Sequence, residues 1–107
     1  MHRVPDKLFK SLADPTRRAL FERLSRHGEQ TVRMLTDNSK ISQPAVSKHL
    51  RVLKHAGLVR ARHHGRETHY AAQPRALAPL LDWMTFYSKF WHDHFDRLED
   101  LLKRMDS

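Results

Sequence analysis

The sequence predicts a mainly α-helical chain with one small β-hairpin and a long C-terminal helix. Three observations carry that expectation. Apolar residues recur at threes and fours through most of the chain, which is the helical period, whereas Leu58–Arg62 (L-V-R-A-R) alternates apolar and basic residues, which is the strand period. Helix boundaries are spelled out by Asp14-Pro15 and by Ser42 with Pro44 at starts, and by Gly28 and Gly57 at stops. The segment Pro74–Ser107 keeps one apolar period almost to its end. At 107 residues the prior is a single domain over 1–107, able to bury a real but not generous core.

Taken in order, Val4–Ala13 makes a short helix with Leu8, Phe9 and Leu12 on its apolar face. Asp14 caps a second helix that stops at Gly28 and turns Ala19, Leu20 and Leu24 inward. Arg17 and Arg18 sit where the helix dipole disfavours cations, so they are either solvent-exposed or approached by an anion. Glu29–Val32 is a short extended connection. Val32–Asn38 is a brief third helix with Val32, Met34 and Leu35 as apolar contacts, followed by the turn Asp37–Lys40. Ile41–Gly57 is the fourth helix, with Ser42 as N-cap and Val46, Leu50 and Leu53 as one apolar stripe. Leu58–Arg62, the turn His63-His64-Gly65-Arg66 and the return strand Glu67–Ala72 make the hairpin. After a turn at Pro74–Ala78, the last helix runs from about Pro79 to Met105, roughly 40 Å at ~1.5 Å per residue.

Composition removes several classes of function. With no cysteine there are no disulfides, thiolate metal sites or thiol redox sensors. No run approaches a membrane span and the N-terminus lacks a signal-peptide apolar core, so a soluble, cytoplasmic protein without a membrane partner is expected.

The charge is uneven. Residues 1–73 hold 15 Lys and Arg against 6 Asp and Glu, a net of +9, whereas residues 74–107 hold 5 against 6, a net of −1. Between Asn38 and Arg66 there is no acidic residue, but there are seven Lys or Arg and four His. Such a field favours a polyanion. The fourth helix is apolar on one side and carries Pro44, Ser47, Lys48, Arg51 and His55 on the other, with Gln43 at its tip, which suits a DNA major groove. A turn followed by a basic helix and then a basic-tipped hairpin is the layout of a winged helix-turn-helix that binds double-stranded DNA. Lys54, Arg62, His64 and Arg66 complete the basic set expected at DNA. Two other readings compete. One is a small metal-dependent hydrolase using His92, His94 and Asp96, disfavoured because one exposed helix face offers little pocket. The other is an interaction module for an acidic protein.

The last helix asks for a partner. Leu77, Leu81, Met84, Tyr87, Trp91, Phe95, Leu98, Leu102 and Met105 form one stripe, and Trp83, Phe86 and Phe90 widen it beyond what a small core can cover. A two-fold homodimer is the economical answer, its interface drawn from Leu81, Met84, Trp91, Phe95, Leu98 and Leu102 together with Leu8, Phe9 and Leu12 of the first helix. The aromatic set Trp83, Phe86, Tyr87, Phe90 and Trp91 reads either as packing or as the wall of a small-molecule pocket.

The strings L-A-D-P-T-R-R-A-L-F-E-R-L at Leu12–Leu24, S-Q-P-A-V-S-K-H-L-R-V-L-K-H-A-G-L-V at Ser42–Val59 and R-A-R-H-H-G-R-E-T-H-Y at Arg60–Tyr70 resemble the ArsR (SmtB-like) family of winged-helix repressors. The resemblance runs without gaps from about Leu8 to Ala72. It implies a homodimeric repressor that binds a palindromic operator and releases it when an effector arrives. By position, Gln43, Pro44, Ser47 and Lys48 match the family's groove-contacting residues. His49 lies at the edge of that surface and is equally readable as helix packing, while Arg51 and His55 read as phosphate neighbours.

There are departures from the family pattern. Where the family often carries a cysteine metal box, this chain reads T-V-R-M-L-T-D-N. The family's other metal option, D-x-H with H-x-x-E on the last helix, is also missing. His92, Asp96 and Glu99 do share a face at i, i+4 and i+7, which can bind zinc but is also ordinary helix polarity. The expectation is therefore no cofactor and no metal, with an unnamed small molecule as possible effector.

Overall fold

The computed structural model describes residues 5–106. Five α-helices and three short strands follow one another as α1 (Asp6–Ala13), α2 (Pro15–His27), β1 (Gln30–Thr31), α3 (Val32–Asp37), α4 (Gln43–His55), β2 (Val59–His64), β3 (Glu67–Ala72) and α5 (Ala78–Asp106), with a 3-10 turn at Pro74–Leu77 before α5. The helix starts follow the capping chemistry of the sequence. Asp14 accepts from the Arg17 backbone N–H at 3.0 Å, Thr31 from Met34 at 3.1 Å and Ser42 from Ala45 at 3.3 Å, so each helix start gains a partner for an otherwise free donor. Gly28 ends α2 and Gly57 follows α4, both at positive φ, which β-carbon-bearing residues adopt at a cost.

The sheet has three strands, not two. Its order is β1-β3-β2, all antiparallel, with Gln30 opposite Tyr70 and Thr31 opposite His69. The connection read as merely extended is thus an edge strand, which two residues cannot announce without their partner. The hairpin ladder runs out to His64 opposite Glu67. His63 and His64 belong to the strand, and the turn shrinks to Gly65-Arg66 because Gly65 takes the positive φ that a two-residue hairpin loop demands. The first helix begins at Asp6 after Pro5, and Val4 lies outside the described residues.

The core comprises Leu8, Leu20, Phe21, Leu24, Leu35, Val46, Leu50, Leu53, Leu58 and Val59, with Leu77 and Leu80 packed against it. Two inward assignments change. Ala19 is exposed and Phe21 is buried in its stead, because the body packs on the other flank of Leu20. Met34 is exposed too, leaving Leu35 as the buried residue of α3. Gln30, buried on β1, has its amide oxygen satisfied by Arg23 Nε at 3.2 Å.

None of the 29 residues of α5 is buried. The helix leaves the body with Trp83 edge-on to Phe9 of α1, ring centroids 5.5 Å apart. Leu81, Met84, Trp91, Phe95, Leu98 and Leu102 all stay exposed. Leu8 is different: only 3% of it is accessible, so its surface is already used inside its own chain. Phe9 keeps 41% exposure and Leu12 is half-buried.

Candidate nucleic-acid interface

The placement of α4 follows from its buried side. Val46, Leu50 and Leu53 have no accessible surface, and they lock the rotation of the helix about its own axis. With 3.6 residues per turn this presents Gln43, Pro44, Lys48, Arg51 and Lys54 to solvent and leaves Ser47 half-buried at the edge. The N-terminal half of α4, α3 and the hairpin enclose an open, mostly polar cleft. Gln43 and Ser47 line it from α4, Arg33, Thr36 and Asp37 from α3, and Arg66, Glu67, Thr68 and Tyr70 from the hairpin. The structure therefore brings together three of the expected DNA residues, Gln43, Ser47 and Arg66. Sequence reasoning missed Arg33 and Thr68. Arg33 offered a weak signal as a cation in a helix adjoining α4, and Thr68 offered none.

Other expected residues go elsewhere. The register sets Val59 opposite Ala72, Ala61 opposite Tyr70 and His63 opposite Thr68 on the sheet face that meets the body and the cleft. Strand side chains alternate, so Arg60, Arg62 and His64 share the outer face. There the Arg62 guanidinium donates to the Glu29 carboxylate. That hydrogen bond, with the charge behind it, holds the Glu29 carboxyl below its ordinary range against the opposing effect of burial, and holds Arg62 above its own. His69 lies in the same row, its Nδ1 3.5 Å from Glu29 and its Nε2 3.7 Å from Glu67. His64 packs edge-on to the His69 ring at 6.2 Å.

His49 has a partner within its own chain. It is half-buried, and its Nδ1 lies 3.4 Å from Arg17 Nη1. Arg17 is no idle surface cation. Its guanidinium also donates to the backbone carbonyls of Ser11 at 2.9 Å and Lys10 at 3.0 Å, tying the end of α1 to the start of α2 and both to α4. The backbone N–H of Arg17 is the main reason the Asp14 carboxyl sits below the usual carboxylate range, with the nearby His49 and Arg17 charges adding to it.

Asp14 and Glu29 set one pH dependence. A carboxylate whose folded pKa is depressed contributes stability that is complete above its unfolded value and is lost as pH falls through the folded value. Thermal melts are expected to show Tm falling from about pH 5 downward. In Asp14→Asn and Glu29→Gln variants that fall is expected to be shallower than in the parent. Equal acid slopes in all three proteins would contradict the assignment.

His92, Asp96 and Glu99 lie exposed along α5, and among the described residues no three potential ligands converge on a metal position. Trp83, Met84, Tyr87, Ser88 and Trp91 line a shallow, open, mostly apolar depression on α5, while Phe86 and Phe90 stand outside it. Among the described residues no helix is long and apolar enough to cross a membrane.

Comparison with known proteins bears on the family and the fold. Residues 14–61 match the model of the bacterial regulatory protein, arsR family. The chain is 44% identical over 90 residues to the HTH-type transcriptional regulator Rv2034 of Mycobacterium tuberculosis, covering 84% of this chain and 80% of that protein. It is 30% identical over 79 residues to the transcriptional repressor SdpR of Bacillus subtilis, covering 74% and 87%. Among solved structures, the homodimeric winged helix-turn-helix DNA-binding domain Mb0332 from Mycobacterium bovis superposes with a TM-score of 0.63 at 25% identity, over 78% of this chain and 77% of that one. The chain thus has the winged helix-turn-helix fold and belongs to the ArsR family of bacterial regulatory proteins, as a DNA-binding transcription regulator and not an enzyme.

Proposed function

We propose that the chain, acting in the cytoplasm as one winged-helix unit over residues 1–107, is a homodimeric repressor of a palindromic operator that a small-molecule effector releases. The observation that carries the DNA-reading part is the cleft in which Gln43 and Ser47 of α4 face Arg66 of the hairpin tip. In this reading α4 enters the major groove and reads base edges through Gln43, Pro44, Ser47 and Lys48. Arg51 and Lys54 meet phosphates beside the groove, and Arg66 reaches the backbone or the minor groove. Pairing through α5 sets two such helices about 34 Å apart, one turn of duplex, which makes the operator a palindrome. The homodimeric state of the Mb0332 domain and the repressor role of SdpR support this sense of action.

The test is a gel shift on the DNA upstream of the protein's own gene, run across a salt series. Phosphate neutralisation gives a steep negative slope of log affinity against log salt, and a flat slope ends the proposal. Ser47→Ala and Lys48→Ala are expected to lose affinity for that DNA, by about 1–3 kcal/mol where a base contact is removed, with random DNA nearly unaffected by Ser47→Ala and weakened less than the operator by Lys48→Ala. Arg66→Ala is expected to weaken both DNAs and to flatten the slope by about 0.9, one phosphate contact.

A further inference from the structure

Read from sequence, the outgoing strand and tip of the hairpin are purely cationic, since no acid occurs between Asn38 and Arg66 and Glu67 only opens the return strand. Folding changes that. Gly28 turns the chain out of α2 so that Glu29 precedes the edge strand β1, and β1 pairs with β3, which pairs with β2. Across the ladder Thr31, His69 and Arg62 stand side by side, and Glu29 reaches over them. Its carboxylate takes the Arg62 guanidinium and faces His69 Nδ1 at 3.5 Å. Glu67 approaches the far side of the same imidazole at 3.7 Å. The outer face of the wing thus sets two carboxylates from outside the acid-free stretch beside Arg62 and His69.

The two arginines nearest the hairpin tip consequently differ in kind. Among the described residues Arg66 makes no ion pair and lines the cleft with Gln43 and Ser47. Arg62 is about half exposed yet already occupied by a carboxylate, the planar, bidentate-accepting group that most resembles a phosphate. The pair is a single contact, Arg62 Nη2 to one Glu29 oxygen, so Arg62 keeps other donors but brings to DNA a charge that Glu29 already offsets. Free cations add to affinity for every duplex alike, because phosphate contacts carry no sequence information, so an arginine withheld from phosphate leaves a larger share of binding to the base-reading residues.

We propose that Glu29 is a specificity-determining residue that withholds Arg62 from DNA and so limits the wing's sequence-independent hold on the duplex. This rests on the wing meeting DNA as described above, and Arg66→Ala is the control that separates the two. The experiment measures binding of the full chain to a random-sequence duplex by fluorescence anisotropy over a salt series. It compares the parent with Glu29→Gln, Arg62→Ala, the double variant and Arg66→Ala.

Glu29→Gln, which keeps the shape and loses the charge, is expected to bind random DNA several-fold tighter at low salt, with a slope steeper by about 0.9. Arg62→Ala alone is expected to keep the parental slope, and the double variant to match Arg62→Ala. An unchanged slope in Glu29→Gln overturns the inference, as does a gain that survives in the double variant. A slope that flattens in Arg62→Ala as it does in Arg66→Ala overturns it as well, even if Glu29→Gln does not fold. A parental slope in Arg66→Ala, by contrast, overturns the placement of the wing on DNA.

Discussion

Replacing Leu98 with Glu is expected to yield a folded monomer whose affinity for its operator is lower by a factor of about 10² or more, the avidity lost when two linked half-site contacts become one. The argument starts from what α5 does not do. The buried core runs from Leu8 to Val59, and from the turn and the first residues of α5 it takes Ala76, Leu77 and Leu80 as flanking contacts. The rest of the helix carries Met84, Trp91, Leu98 and Met105 at intervals of seven, between 45% and 73% exposed in the single chain. A seven-residue apolar repeat is the pattern of a helix that lies along another helix. In a two-fold pair each residue near the axis approaches its own copy, so a glutamate at position 98 meets either a second glutamate or apolar side chains, and both destabilise association. Sedimentation equilibrium should then report 12.7 kDa instead of twice that mass. The thermal transition of the body should persist, since no buried residue of α5 is lost. Lys89→Ala, on the opposite face, should leave the mass unchanged. A dimer that survives Leu98→Glu would mean that the two chains meet through another surface.

How much of this was legible in the sequence depended on whether the determining contacts are local. Helix limits were legible because caps act within four residues: Asp14 with Arg17, Ser42 with Ala45, and the glycines at 28 and 57. The inward stripe of α4 was legible because thirteen residues give the period time to declare itself. The six residues of α3 do not, and their pattern points Met34 inward although Leu35 alone is buried. On α2, Ala19 and Phe21 are both one step from Leu20, and only the packing of distant elements decides which of them goes in. The site was legible to the same degree. Gln43 and Ser47 were recoverable from the rotation of one helix and Arg66 from the glycine turn that holds it. The fates of the other cations were not, because each is decided by a partner far along the chain: Arg62 by Glu29, 33 residues away, and His49 by Arg17, 32 residues away. Net charge over a window says how many cations there are, and only the fold says which remain available.

Leu50→Ala is expected to destabilise the protein by about 2–5 kcal/mol, the range for emptying a fully buried leucine site. That is a large share of the roughly 5–15 kcal/mol that holds a domain folded. Leu50 has no accessible surface and lies between Val46 and Leu53 on the stripe that seats α4. Around it are α2, which supplies Leu20 and Leu24, and the residue before β2, Leu58, all in the same cluster. The removed methyl groups leave a cavity on the one side of α4 that fixes its rotation, and a rigid core collapses only partly to fill it. Thermal denaturation should show Tm lower by about 10 °C or more. Ser47→Ala, three positions away and half-buried at the edge of the helix, should melt within a degree or two of the parent while losing operator affinity. The same pair of variants separates two ways of losing DNA binding. Leu50→Ala should recover operator affinity on cooling as α4 reseats, whereas Ser47→Ala should not, because its helix was never displaced. Leu50→Ala melting like the parent would show that α4 is held by something other than this stripe, and the assignment of its reading face would fall with it.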